Sequence, residues 1–238
     1  MRIAPVRLNG AIAWLFMIGS ACFVLGSVPA FVNAVGGTVD SVTYFVGSLF
    51  FTSASLLALL QAQTPAMTQV TEHSQGIAQQ VRRWAWLPHD RAWLAAVTQF
   101  PGTLFFNVST AAALVRNATV EAQDRHVWRP DFLGSTLFLI SSAFGILAVG
   151  GSRPARMRSY PWSIAWLNMI GSILFMASAV ASYILPSTGQ VMAVRVSVAG
   201  TLLGAVCFLV GAALMLPAWR AIIRPVALPP DERQTQSE

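Results

Sequence analysis

The chain contains no lysine, and all fifteen of its basic residues are arginine. Charge of either sign is scarce: 10% of the 238 residues are charged, whereas 55% are hydrophobic. Soluble domains carry about 25% charged residues, so this balance excludes an ordinary soluble domain and points to a membrane protein. Cysteine is limited to Cys22 and Cys207, with no Cys-x-x-Cys spacing, so the pair marks neither a metal site nor a redox compartment. Among the three histidines no His-Glu-x-x-His or His-x-x-Glu-His pattern occurs, and no P-loop, Gly-x-Ser-x-Gly elbow or dinucleotide fingerprint is present. No nucleophile, base and metal ligand can be assembled from the apolar stretches. The chain is therefore expected to be no enzyme, with no catalytic, cofactor-binding or metal site and no cofactor.

What the sequence does have is length for six spans of roughly 20 residues each. They fall near 10–32, 41–62, 92–115, 132–151, 162–185 and 196–217. The expected fold is an all-α polytopic membrane bundle of three tandem antiparallel hairpins. Arginine placement supplies the topology. Eleven of the fifteen lie in the N-terminus (Arg2, Arg7), the 63–91 segment (Arg82, Arg83, Arg91), the 152–161 loop (Arg153, Arg156, Arg158) and the tail (Arg220, Arg224, Arg233). Arg116, Arg125, Arg129 and Arg195 lie on the other side. The positive-inside bias then puts both termini in the cytoplasm of a bacterial inner-membrane protein. The net charge of +6 is an orientation signal of scattered loop arginines, so the bilayer, and not a nucleic acid, is the expected partner.

A glycine followed by serine or threonine recurs once per apolar stretch: Gly19-Ser20, Gly47-Ser48, Gly102-Thr103, Gly134-Ser135, Gly171-Ser172 and Gly200-Thr201. Seven residues on stand Gly26-Ser27, Ala54-Ser55, Ser109-Thr110, Ser141-Ser142, Ser178-Ala179 and Cys207-Phe208, all small except Phe208. Phe stands four residues after the glycine in five copies (Phe23, Phe51, Phe106, Phe138, Phe175), and Gly204 takes that place in the sixth. This is an internal repeat. Seven residues is almost two helical turns, so each helix gains a smooth face on which a neighbour's backbone can approach. Gly19, Gly26, Gly47, Gly102, Gly134, Gly171, Gly200 and Gly204 are thus helix-packing residues, with Gly19 and Gly26 facing Ala54 and Gly47. The recurrence of Ile12-Ala13-Trp14-Leu15 as Ile164-Ala165-Trp166-Leu167 marks span 1 as a copy of span 5 rather than a cleaved signal segment.

The organisation that follows is 1–62 (hairpin 1), 63–91 (a cytoplasmic interfacial segment), 92–151 (hairpin 2), 152–161 (an Arg-rich cytoplasmic loop), 162–217 (hairpin 3) and 218–238 (a disordered cytoplasmic tail). Met67, Val70, Ile77, Val81 and Trp84 recur at helical spacings, as an amphipathic surface helix would. Trp14, Trp84, Trp86, Trp93, Trp128, Trp162 and Trp219 lie near span ends or on that segment and fit an interfacial belt.

Candidate chemistry is sparse, since the deep spans hold no Asp, Glu, Arg or His. Gln99, Asn107 and Asn168 are uncharged polar residues within spans. Pro101 beside Gln99 either kinks span 3 or lets it unwind to line a cavity. On the outer face, Asp40, Arg125, His126, Arg129, Asp131 and Arg195 form a candidate site, although a helix starting at Trp128-Arg129-Pro130-Asp131 would explain Pro130 and Asp131 by capping alone.

Phe45-Val46-Gly47-Ser48-Leu49-Phe50-Phe51 and Phe132-Leu133-Gly134-Ser135-Thr136-Leu137-Phe138 resemble the YrhK-like bacterial membrane domain, a small two-helix module. The resemblance implies membrane location and hairpin architecture, and no reaction, substrate or site. The expected role is structural or interaction-based, with a homo-oligomer or a membrane-protein partner. The alternative is a channel or carrier for a small solute or ion between the three hairpins. A polar cavity lined by Gln99, Asn107 or Asn168 would favour transport, and a dry centre of Phe, Leu and Gly would favour packing.

Overall fold

The computed structural model describes residues 5–63, 85–115, 119–151 and 159–223. The elements are α1 (Pro5–Gly26), α2 (Pro29–Ala62), α3 (Arg91–Leu114), α4 (Val120–Gln123), a π-helical turn (Asp124–Trp128), α5 (Arg129–Ala148), α6 (Tyr160–Ala181), strands β1 (Ile184–Leu185) and β2 (Gln190–Val191), and α7 (Val194–Ile223). Five runs are long and apolar enough to cross a membrane: Leu8–Gly26, Pro29–Ala62, Val120–Ala148, Tyr160–Ala181 and Val194–Ala218. Helix α3, diluted by Gln99, Pro101 and Asn107, is not among them. Most of the 63–91 segment, the 152–161 loop and the tail lie outside the described residues, as do Trp84 and Arg116.

Several boundaries differ from those read in the sequence, each for a local reason. Helix α1 stops at Gly26 and Pro29 already opens α2, so the expected connection at residues 33–40 is helical on both sides of a single break. Proline is preorganised for the first helical turn. The break falls at Gly36, whose φ of +79° and ψ of 161° leave the helical region for a conformation open mainly to glycine. The fifth span ends at Ala181, where β1 and β2 pair antiparallel as a hairpin turning at Gly189 (φ +66°). Pro101, by contrast, sits inside an uninterrupted α3. The helical run before α5 begins at Val120, capped by the Thr119 hydroxyl that accepts the Ala122 N–H at 3.1 Å.

Each long helix packs mainly against two neighbours, in the order α1, α2, α3, α5, α6, α7, and α7 returns to α1 to close a ring. Neighbours run antiparallel. Between α1 and α2, for example, Asn9 meets Gln61 at one end and Ser27 meets Tyr44 at the other, with Gly19 beside Gly47 between them. The glycines are what let the backbones approach. A methyl group at Gly19 would fall 3.0 Å from the Gly47 carbonyl oxygen, one at Gly134 3.0 Å from that of Gly102, and one at Gly204 3.0 Å from that of Gly171. The contact thus joins glycine to glycine, and the expected facing of Gly19 with Ala54 and Gly26 with Gly47 is wrong by two turns. Gly26 lies instead against the Tyr44 ring.

The sixth copy is also displaced by one turn. Gly204, not Gly200, is the mate of Gly171, while Gly200 meets the Leu174 carbonyl oxygen and Ser178. Counted from Gly204, Phe208 is the phenylalanine four residues on, and Gly211-Ala212 are the small pair seven residues on. The mismatch at Phe208 was one of register. Six phenylalanines (Phe23, Phe51, Phe106, Phe138, Phe175 and Phe208) and Ala205 then form one buried cluster at the middle of the ring. Their rings meet mostly edge to face: Phe106–Phe138 at 5.1 Å, Phe175–Phe208 at 5.4 Å, Phe23–Phe51 at 5.6 Å and Phe51–Phe208 at 6.1 Å between centroids. Such pairs contribute about 0.5–1.5 kcal/mol each beyond burial.

Hydroxyls next to the glycines stitch one antiparallel pair to the next. Ser48 on α2 meets Thr110 on α3 at 2.9 Å, and Ser142 on α5 meets Ser172 on α6 at 2.8 Å. In both, a residue one after a contact glycine bonds a residue eight after another. By the same count Ser20 and Ser135 would meet Ala212 and Ala179, which have no hydroxyl, and the Ser20 and Ser135 oxygens are buried without a partner.

Two outcomes follow. Gly47→Leu or Gly204→Leu, which drive a side chain into Cys22 or Phe175 and the facing backbone, should lower the thermal midpoint of the detergent-purified chain, with a stability loss larger than the about 1–3 kcal/mol typical of overpacking. Gly10→Ala, with open space around it, should not lower it. Ala212→Ser should raise the midpoint modestly, by about 0.6 kcal/mol of interhelical hydrogen bonding, and this gain should vanish in a Ser20→Ala background.

Candidate functional site

Two cavities lie at opposite ends of the ring with the phenylalanine cluster between them. The first, of about 560 Å³, opens at the end where α1 starts and α7 finishes. Its polar side chains are Asn9, Gln61, Gln99 and Asn168, set among Phe16, Ala58, Gly145 and Gly211, and Phe51 and Phe208 close its deep end. The Gln61 side-chain N–H donates to the side-chain Oδ1 of Asn9 at 2.7 Å. A smaller recess of about 70 Å³ continues from it beside Gln99, Asn168, Ser141 and Ser142.

The structure therefore joins two of the three polar span residues read from the sequence and separates the third. Gln99 and Asn168 each stand three residues before a contact glycine, so they lie at one depth on α3 and α6, and Phe16 takes the same place on α1. Asn107 lies beyond its glycine on the far side, outside the cavity, with its Oδ1 buried and unpartnered. Asn9 and Gln61 were not singled out in the sequence. Their distance from the span centres disguised them as end residues, although the hairpin pairing sets them opposite each other.

The second cavity, of about 320 Å³, lies at the other end between α3, the π turn, α5, α6 and α7. It is lined by Ser109, Ser178, Ser182, Ser197 and Thr201, by Gln123, and by the carboxyl group of Asp131. This corrects the view that capping accounts for Asp131. The helical run starts eleven residues earlier at Val120, so Asp131 is inside it. Pro130 has no N–H to give, and the backbone answers with a wider turn in which the Arg129 N–H donates to the Asp124 carbonyl oxygen. Trp128, expected in an interfacial belt, is drawn inward. Its indole N–H donates to the Ala179 carbonyl oxygen at 2.8 Å, and its ring stacks on Phe132 and meets Tyr183 edge to face. Trp93 is likewise buried, packed with Leu59 and Ala96, whereas Trp14 and Trp86 are exposed.

The other outer-face candidates do not gather there. Arg129 is exposed and its Nε lies 2.8 Å from Asp124. Arg125, His126 and Arg195 are exposed. Asp40 is on α2 beyond the Gly36 break, with Oδ1 buried and unpartnered, and it does not line the cavity. Between the two cavities only about 10 Å³ is open, enclosed by the six phenylalanines and Ser48. That is room for one water at most. Among the described residues no group of three or more His, Cys, Asp or Glu could hold a metal ion.

The chain matches no protein-family model, no curated protein and no solved structure. Its chemistry must be read from the two cavities alone.

Their depth can be checked by labelling. In a chain with Cys22 and Cys207 replaced by serine, Asn168→Cys should react with a membrane-impermeant thiol reagent added from the end where α1 starts and α7 finishes. Asn107→Cys should react at least about tenfold more slowly, as a buried thiol is inert.

Proposed function

We propose that the chain is a bacterial inner-membrane protein of three tandem transmembrane hairpins, with both termini cytoplasmic, and that it passes a small solute or ion along the axis of its ring in a state now closed. The observation that carries this reading is the division of the ring into two polar cavities by one aromatic plug. A bundle serving packing alone would gain by filling both ends with apolar side chains, because unpaired polar groups among membrane helices are costly. Here Gln99 and Asn168 face one cavity and Asp131 the other. Each helix delivers one ring to the plug from beside its contact glycine. A small slide or rotation of one antiparallel pair along a smooth glycine face would separate the rings, a way of gating known for hydrophobic constrictions. Three similar hairpins around an axis give such motion a natural unit, in keeping with the resemblance to YrhK-like hairpins. The pathway would then join a cytoplasmic cavity of about 560 Å³ to an outer one of about 320 Å³.

The dry phenylalanine centre favours the second reading, a structural or interaction role in which the ring never opens. The two readings part on one experiment. The double variant Phe51→Ala/Phe208→Ala removes two rings of the plug and should let small ions and solutes leak from proteoliposomes at least about tenfold faster than the parent, since two Phe→Ala truncations leave a void larger than a water molecule. A folded, monodisperse double variant as tight as the parent would discard the pathway in favour of the structural role.

A further inference from the structure

The cavity around Asp131 has the lining of a cation site, and of a particular kind. We infer that it binds a small protonated amine. The carboxyl group of Asp131 has no hydrogen bond or ion pair with any described residue, and it is the one charged group of the lining. The basic residues nearest in sequence are directed elsewhere: Arg129 is held by Asp124 at 2.8 Å, and Arg125 and His126 are exposed.

Three of the hydroxyls around Asp131 have their protons committed to backbone carbonyl oxygens. Ser109 donates to the Val127 carbonyl oxygen at 2.8 Å, Ser178 to that of Ser197 at 2.7 Å and Ser182 to that of Ala179 at 2.9 Å. What they have left to offer the cavity is oxygen lone pairs. A carboxylate facing a set of acceptors, in a helical bundle of low polarity, calls for a ligand that is positive and rich in donors.

Size selects among cations. A bare metal ion needs several oxygens at about 2.3–2.6 Å, whereas this cavity of about 320 Å³ spreads its acceptors over three helices, α3, α6 and α7, opposite a carboxyl group on α5. It has room for several heavy atoms. Val127, Trp128, Ile184, Val191, Val194 and Val198 line it with apolar surface, which suits the carbon body of an alkylammonium whose N–H groups reach Asp131 and the hydroxyls. Ser109 and Ser178 lie one helical turn from Phe106 and Phe175, so the ligand would sit one turn beyond the plug. The inference names a cargo for the proposed pathway, yet binding itself does not require that the plug open.

The test uses the full chain in detergent, with ethylammonium chloride as the probe and sodium chloride at equal ionic strength as the reference, read by thermal midpoint and by titration calorimetry. Ethylammonium should raise the midpoint where sodium does not, and Asp131→Asn should weaken its binding at least about tenfold, as expected for loss of a charge-assisted partner. Thr201→Val should weaken it several-fold, and Asp124→Asn should leave it unchanged. Equal stabilisation by sodium, or ethylammonium binding that survives Asp131→Asn, would overturn the inference. Ethylammonium bound but not carried by proteoliposomes containing the Phe51→Ala/Phe208→Ala variant would uphold the site and count against the pathway.

Discussion

Everything in this molecule depends on how closely two antiparallel helices can approach at a pair of glycines. At Gly19–Gly47 and Gly171–Gly204 the approach is reciprocal, each glycine lying where a side chain would strike the other's carbonyl oxygen. Between membrane helices there is no hydrophobic force to draw them together, so the gain comes from dispersion and polar contact along these smooth faces. The glycine contact fixes the spacing within each pair. The phenylalanine one turn further along is then carried to the ring's centre, and six of them meet there.

The same geometry explains why polar groups survive at the two ends. Antiparallel helices that are closest at mid-height leave space above and below, and that space is bounded by whatever residues stand three before or seven to eleven after the contact glycine. On one side these include Gln99, Asn168, Gly145 and Ala58. On the other they include Ser109 and Ser178, and the opening between them is completed by Asp131, which the π turn before Pro130 sets within a continuous helical run. Hydroxyls beside the glycines link neighbouring pairs at Ser48–Thr110 and Ser142–Ser172, whereas those of Ser20 and Ser135 stand alone opposite alanine.

Much of this was legible in the sequence, because small residues at a spacing of seven and a phenylalanine at four are direct statements about helix faces. The glycine marks gave the helices and the packing residues. They did not give the register. A spacing of seven allows Gly19 to lie opposite Gly47 or Ala54 with equal apparent fit, and only the volumes of Phe51 and Tyr44 decide between them. The sixth mark is ambiguous in the sequence because Gly200 and Gly204 both offer a glycine and Gly200-Thr201 is the closer copy of the dipeptide. Asp131 was misread because Trp-Arg-Pro-Asp is an ordinary helix opening when nothing precedes it, and the preceding turns of helix are too polar to resemble a span. The cavity at the other end was half visible: Gln99 and Asn168 were recognisable as polar residues at one depth, whereas Asn9 and Gln61 acquire meaning only when α1 and α2 are laid together.

Six phenylalanines, one from each long helix, make a single constriction between two cavities that carry polar side chains. The most direct measurement is nuclear magnetic resonance of the chain in lipid nanodiscs with only its fourteen phenylalanines labelled. The account predicts nuclear Overhauser contacts linking the rings of Phe23, Phe51, Phe106, Phe138, Phe175 and Phe208 into one network, with no exchange peak to water from any of them. Water contacts at these rings, or a network that leaves out one of the six, would contradict it.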